Sequence, residues 1–286
     1  MKRIKQFGFF LLIGMVAVSC KHSKLLKNPD LDTKYNAAIA YYNEKDYSRA
    51  LQLFDQMMGA IRATDKAEDL YYYYSYCYYH QKDYTLASYY FKRYYSSFPK
   101  TSRAEECLFM SAYCNYLNSP IASLDQTSTY DAIKELQLFM NIYPKSKRIP
   151  ECNELIDKMR AKLELKDYKI AKLYFRMKDF AASITTFHNI LQEFPETIHR
   201  EEILFLVIKS YAKYASQSVK EKQYERFTNT TIAFQDFYKE FPASKFAGEA
   251  ADLNEKSRAE IQKMVDKNKN LIEEQSKRVR LKRNGL

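Results

Sequence analysis

The chain has 286 residues, a formal net charge of +11 and 15% aromatic residues, but only 5 glycines and 7 prolines. So few glycines exclude glycine-rich phosphate-binding loops. The shortage of glycine and proline also disfavours sheets built from hairpins, because hairpin turns need these residues. Abundant Ala, Leu, Lys, Glu and Tyr predict instead a chain that is almost entirely helical.

The N-terminus has the pattern of a lipoprotein signal peptide over residues 1–19. Three Lys or Arg residues precede an apolar run at 7–18, which is too short to span a bilayer as a helix. The sequence "AVSC", which ends at Cys20, resembles the lipobox of bacterial lipoproteins. Acyl chains on Cys20 would anchor the protein, since each buried CH₂ contributes about 0.8 kcal/mol. We expect residues 20–30 to be a lipidated tether; the alternative is an ordinary signal peptide with an incidental Cys20.

Prolines at intervals of 45 to 51 residues indicate internal repeats in the rest of the chain. Large apolar residues stand eight, four and one positions before each of these prolines, on one face of a helix that the proline ends. Small residues precede that face by four positions, where a neighbouring helix must approach closely. The pattern resembles the tetratricopeptide repeat, a helix-turn-helix unit. The prolines are Pro99, Pro144, Pro195 and Pro242, and the small residues are Ala50, Ala87 and Ser183.

We therefore predict an all-α fold, a superhelix of about five tetratricopeptide-like helix-turn-helix repeats with a C-terminal capping helix. The repeats run roughly over residues 31–64, 65–102, 103–148, 149–200 and 201–246. Repeats 1 to 3 (31–148) form the predicted N-terminal set and repeats 4 and 5 (149–246) the C-terminal set. A charged helix with a basic tail, residues 247–286, supplies the polar cap that a terminal repeat needs.

The reactive side chains do not form the pattern of an enzyme or a metal site. The histidines share no metal-ligand spacing with carboxylates or cysteines, so we expect no catalytic residue, no metal and no cofactor. Cys77 and Cys114 occupy equivalent places in consecutive repeats, where helix axes lie about 8–10 Å apart. A disulfide needs Cα atoms within about 7 Å, so we predict buried free thiols and keep a disulfide as the alternative. The four cysteines after Cys20 are Cys77, Cys107, Cys114 and Cys152.

Tyrosine is unusually frequent, with 26 residues. The stretch "DLYYYYSYCYYH" at 69–80 carries tyrosines all round a helix, so they cannot all face neighbouring helices. If the first helix of each repeat lines the inner surface, some tyrosines form a groove for an extended peptide with aromatic residues. Tyrosine there offers rigid contact area and a hydroxyl for the peptide backbone, although core packing remains the alternative. The predicted groove residues are Tyr35, Tyr42, Tyr72, Tyr76 and Tyr79.

The basic tail "SKRVRLKRNGL" raises the question of nucleic acid. The aromatic residues are distant from this tail in sequence and follow the repeats, and the chain carries an export signal. We therefore expect no nucleic acid, and a tail that is solvated or contacts lipid headgroups or an acidic partner.

The most specific family resemblance lies within residues 123–197. This segment contains a D-Q-T element and two turns in which an aromatic residue precedes a proline, and Met159-Arg160 and Ala171 to Tyr174 lie between the turns. Together these resemble the BamD family of outer-membrane β-barrel assembly lipoproteins. The resemblance implies three helices between the two prolines. The motif residues are Asp125, Gln126, Thr127, Pro144 and Pro195.

The resemblance implies a non-catalytic scaffold that is lipid-anchored to the periplasmic face of the outer membrane. In this family the N-terminal repeats bind unfolded outer-membrane proteins, and the C-terminal repeats bind the periplasmic domains of the barrel-forming assembly protein to promote insertion. Lys21, in place of an aspartate after the cysteine, favours the outer membrane. One alternative is a periplasmic repeat adaptor for envelope or cell-division complexes. A glycan-binding lipoprotein is disfavoured, because such proteins usually use tryptophan platforms and this chain has no tryptophan.

Overall fold

The structure, a computed structural model, describes residues 22–61, 64 and 66–283, with side chains described as far as Gln275. The expected signal peptide (1–19) and Cys20 lie outside the described residues. After Asp30 the described residues form eleven α-helices and no strand. The helices are α1 Leu31–Asn43, α2 Tyr47–Met57, α3 Ala67–His80, α4 Tyr84–Ser97, α5 Ala104–Asn118, α6 Thr127–Ile142, α7 Ile149–Arg176, α8 Phe180–Glu193, α9 Arg200–Ser216, α10 Lys220–Glu240 and α11 Ala247–Arg283.

Each predicted repeat contains one pair of these helices, from α1 and α2 in repeat 1 to α9 and α10 in repeat 5. Helices within the pairs of repeats 1, 2, 3 and 5 pack together, as do α2 with α3, α4 with α5 and α8 with α9. In repeat 4, α7 and α8 share one apolar core through Ala171 and Phe187. The closing helix α11 packs on α10 and α9. The prediction of an all-α, tetratricopeptide-like fold with five helix pairs and a closing helix is confirmed.

The chain divides into two compact units, residues 1–160 and 161–286. The described part of the first unit holds two apolar cores. One is centred on Phe54 and Leu70, and the other on Phe91, Phe109 and Phe139. The second unit has its own cores, one with Phe187 and Ile203 and the other with Phe205 and Phe237. The functional division expected at 148/149 stays a prediction.

A lysine-aspartate pair forms the turn inside three of the repeats. Lys45, Lys82 and Lys178 have positive φ angles of 62°, 64° and 64°, so each ends a helix in the left-handed conformation. The following aspartate caps the next helix by accepting a hydrogen bond from the backbone N–H three residues later. For Asp83 the donor is Leu86 N–H at 3.1 Å, and for Asp179 it is Ala182 N–H at 3.1 Å. This geometry explains the recurring "KDY" and "KDF".

A hydroxyl two residues after the proline begins the next repeat. Ser146 Oγ accepts from Arg148 N–H at 3.1 Å, and Thr197 Oγ1 accepts from His199 N–H at 3.1 Å. The same hydroxyls donate to carboxylates of preceding first helices: Ser146 to Glu105 at 2.6 Å, and Thr197 to Glu164. The turns at Pro144 and Pro195 therefore end one repeat and fix the start of the next.

The family resemblance implied three helices between Pro144 and Pro195, and this prediction is wrong. The structure has two, because α7 runs without interruption over Ile149–Arg176. Pro150 lies in its first turn, where a missing N–H costs no helical hydrogen bond. No further proline and no glycine occurs before the turn at Lys178, so nothing divides the helix.

The small residues and the cysteines lie where the sequence places them. Ala50, Ala87 and Ser183 are fully buried between helices. All four described cysteines are free and fully buried, which confirms the prediction of buried thiols. Burial raises the pKa of Cys77 and of Cys114 to about 12, so these thiols are neutral and behave as small apolar groups.

Candidate peptide-binding surface

The predicted groove tyrosines lie on α1 and α3, the first helices of repeats 1 and 2, and all five are half-buried. Their positions repeat with a spacing of 37 residues, so Tyr72 corresponds to Tyr35 and Tyr79 corresponds to Tyr42. Repeat 3 continues both columns on α5 with Phe109 and Tyr116. The first helices of repeats 1 to 3 thus each carry an aromatic residue at two equivalent positions.

Ring contacts link four of these tyrosines, within α3 and through Tyr73 to α1. Tyr42 on α1 contacts Tyr73 on α3 at a centroid distance of 4.9 Å. Tyr76 contacts Tyr72 at 4.8 Å and Tyr79 at 6.1 Å on the same helix. Edge-to-face pairs of this kind are favourable beyond their buried area. Four of the predicted residues are thus linked through Tyr73, which contacts Tyr72 at 5.6 Å. The five predicted residues are called below the tyrosine surface (Tyr35, Tyr42, Tyr72, Tyr76 and Tyr79).

Three of the five hydroxyls already bond to a carboxylate of the next repeat. Tyr35 donates to Asp69 at 3.3 Å, and both Tyr72 and Tyr76 donate to Glu106. Burial, followed by the charge of Asp69, raises the pKa of Tyr35 to about 12. These hydroxyls connect adjacent repeats through carboxylates of the chain itself.

Cations complete the connection between repeats. Arg103 pairs with Asp69 and lies 4.4 Å from the ring centroid of Tyr72. Lys66, 37 residues earlier, pairs with Asp32 and lies 5.4 Å from the ring of Tyr35. Each cation therefore meets an acid and a ring of the same first helix. Sequence reasoning missed these acids and cations, although their 37-residue spacing was visible.

Tyr42 and Tyr79 differ from the other three tyrosines. Among the described residues neither hydroxyl has a hydrogen-bond partner, and burial raises the pKa of both. His80 flanks them, with its ring 6.1 Å from Tyr42 and 5.5 Å from Tyr79. These two neutral hydroxyls can donate to a carbonyl or accept an N–H from a bound chain.

The family motif residues belong to other elements than the tyrosines, namely the start of α6 with the loop before it and the ends of α6 and α8. Gln126, which is 3% exposed, fastens the loop between α5 and α6: its amide donates to the carbonyls of Ile121 and Leu124 at 2.9 and 3.0 Å. Asp125 accepts from the N–H of Thr127, the first residue of α6, at 3.0 Å. Pro144 and Pro195 are exposed at the ends of α6 and α8.

Other site types are not evident in the described residues. They contain no group of three or more His, Cys, Asp or Glu side chains placed to hold a metal ion. None of the helices described is both long and apolar enough to cross a bilayer.

Comparisons with known proteins place the chain in a family. A solved structure of the TPR2AB domain of yeast Sti1 in complex with pHSP90 matches 80% of this chain and 98% of its own, at 10% identity and a TM-score of 0.36. No curated protein matches significantly. The family model YfiO, described as "Outer membrane lipoprotein", matches residues 29–227. With most of its length covered by that model, the chain belongs to the YfiO family of outer membrane lipoproteins, which is the BamD-type family.

Proposed function

We propose that this protein is a non-catalytic scaffold of the outer-membrane β-barrel assembly complex. Repeats 1 to 3 bind unfolded outer-membrane proteins, and repeats 4 and 5 bind the periplasmic domains of the barrel-forming subunit. Acyl chains on Cys20 anchor the protein to the periplasmic face of the outer membrane. The observation that supports this most is the family match over residues 29–227, which spans both sets of repeats.

The tyrosine surface supports the substrate-binding part of this proposal. An unfolded chain offers free backbone amides and carbonyls, and a segment rich in aromatic residues also offers flat apolar rings. Tyr42 and Tyr79 supply hydroxyls without a partner among the described residues, beside rings that a peptide side chain can contact. The bound segment is therefore an extended, aromatic-rich stretch of the substrate.

The test is an affinity purification of the tagged, full-length protein from detergent-solubilised outer membranes, with quantitative mass spectrometry of bound proteins. The wild type should recover both unfolded outer-membrane proteins and one large barrel protein with periplasmic domains. Replacing Tyr42→Phe and Tyr79→Phe together removes two hydroxyls and leaves the packing intact. Because each hydrogen bond contributes about 0.5–1.5 kcal/mol, loss of two should weaken binding, and lower recovery of the unfolded proteins, about fivefold or more.

Tyr89→Phe is the matched control, since Tyr89 is an exposed tyrosine of α4 outside the tyrosine surface. This variant should recover both kinds of protein, and the double variant should keep the barrel protein. Recovery of only peptidoglycan-associated or division proteins would contradict the proposal and favour the periplasmic adaptor.

A further inference from the structure

The first described residues are docked against repeat 1. Residues 22–27 form a helical turn, called here the anchor turn. His22 is 8% exposed; its Nε2 lies 3.0 Å from Gln52 Oε1, and its ring contacts Tyr41 edge-on at 5.4 Å. Leu25 and Leu26 pack against the apolar core of repeat 1. The anchor turn is thus part of the folded repeat.

Local hydrogen bonds order the short connection between the anchor turn and α1. Asn28 N–H donates to Leu25 O at 3.1 Å, and Asp30 N–H donates to the Asn28 side chain at 2.9 Å. Asp30 then caps α1 by accepting from Thr33 N–H at 3.0 Å. These hydrogen bonds order the connection, while His22, Leu25 and Leu26 hold the anchor turn on repeat 1.

The lipid site is close to this docked turn along the chain. Cys20 precedes His22 by two residues in the sequence, and two residues of fully extended chain span at most about 7 Å. An acylated cysteine sits at the boundary between headgroups and acyl chains. With Cys20 acylated, a docked His22 would hold the adjacent surface of repeat 1 at the headgroups.

The charge of this region fits an anionic lipid surface. Lys21, Lys24 and Lys27 fall within seven residues, and Lys24 and Lys27 are exposed. The first acid after them is Asp30, whose carboxylate is used to cap α1. Lysines next to a lipid anchor are attracted to anionic headgroups and strengthen attachment.

We propose that the anchor turn lays the surface of repeat 1 around Gln52 directly on anionic lipid headgroups, so that repeat 1 is the membrane-bound end of the first unit. This inference rests on the acylation of Cys20 in the proposed function. In this proposal the anchor turn stays packed on repeat 1, so no flexible linker separates the lipid anchor from the folded repeats.

The test measures energy transfer from repeat 1 to labelled lipid headgroups. The mature, acylated protein is reconstituted into vesicles of phosphatidylethanolamine and phosphatidylglycerol, with a fluorophore on Ser48→Cys. Ser48 is exposed and lies one helical turn before Gln52 on α2, and the buried native thiols do not compete for the label. A flexible Gly/Ser linker of about 20 residues between Lys21 and His22 would add a mean separation of about 25 Å.

We expect strong transfer in the wild type and at least a twofold loss in the linker variant, with vesicle binding unchanged. The same linker appended after Leu286 is the control and should leave transfer unchanged. Replacing Lys24→Glu and Lys27→Glu together should lower transfer on these vesicles but not on phosphatidylcholine vesicles.

Equal transfer with and without the linker would overturn this inference and leave the proposed function intact. Absence of acyl chains from Cys20 in the mass spectrum would overturn the lipid anchor of the proposed function together with the inference. Transfer that rises only when the barrel-forming subunit is added would assign the lysines to a protein partner, and would also overturn it.

Discussion

At the residue scale, the left-handed lysines are the clearest cost in the fold. The left-handed conformation costs a residue with a Cβ atom about 1–2 kcal/mol of conformational free energy. Lys45, Lys82 and Lys178 all adopt it. Glycine adopts it readily, which is why it is the common residue after a helix end. The turn tolerates lysine because the aspartate that follows caps the next helix.

Replacing Lys82→Gly should therefore increase the free energy of unfolding by about 0.5–1 kcal/mol, since relief of strain exceeds the added entropy of the unfolded chain. Lys169→Gly is the control: Lys169 lies inside α7, where glycine costs about 1 kcal/mol. Urea denaturation measures both. Changes of the same sign would contradict the role assigned to the turn.

For the tyrosines, the sequence predicts their position on the helices but not their hydrogen bonds. The position of Tyr35 and Tyr72 on the first helices followed from the repeat pattern. Their hydrogen bonds did not, because the acceptors Asp69 and Glu106 lie 34 residues later and meet them only when the repeats stack in register. The difference between these residues and Tyr42 or Tyr79 is a property of the packed structure.

At the element scale, prolines predicted where helices end, but the length of α7 was missed. A family pattern suggested a break that no proline or glycine of this chain supports. The loop between α5 and α6 is also better explained by the structure. The sequence marked Gln126 as a family residue, and the structure gives it a physical role, since its side chain fastens the loop.

Gln126→Ala should lower the free energy of unfolding by about 1–3 kcal/mol, because it removes the buried donor of two carbonyls and the acceptor of the Thr129 hydroxyl. Amide hydrogens of residues 121–126 should exchange faster. Gln137→Ala, on the exposed side of α6, is the control and should change neither quantity. Unchanged exchange in the Gln126 variant would show that the loop is held by other contacts.

At the scale of the whole molecule, many buried groups resist ionisation. Burial, with neighbouring hydrogen bonds, raises the pKa of Tyr74, Tyr76 and Tyr94, and burial raises the pKa of Cys77 and Cys114 to about 12. In the unfolded chain, tyrosine ionises near pH 10 and cysteine near pH 8.5. Raising the pH through these values therefore favours the unfolded state.

The sign follows from linkage: stability is fully present below the unfolded pKa values and is lost as the pH rises towards the folded ones. We expect the urea midpoint to be constant up to about pH 8 and to fall clearly by about pH 10.5. The part of the tyrosinate absorbance that comes from the buried tyrosines should rise together with the loss of helical circular dichroism, after the exposed tyrosines such as Tyr89 have ionised. A midpoint unchanged at about pH 10.5 would contradict this expectation.

Repeat 2 contacts repeat 1 and repeat 3 through residues at equivalent positions of the repeat. Asp32 with Lys66 and Asp69 with Arg103 are one contact made twice, 37 residues apart. A tandem duplication of residues 66–102 would therefore offer each flanking helix pair the surface it already accepts. The duplication would also add one more hydroxyl equivalent to that of Tyr79. If the tyrosine surface binds substrate as proposed, the length of substrate chain that the repeats contact could be changed one repeat at a time, by gene duplication in evolution or by design in the laboratory.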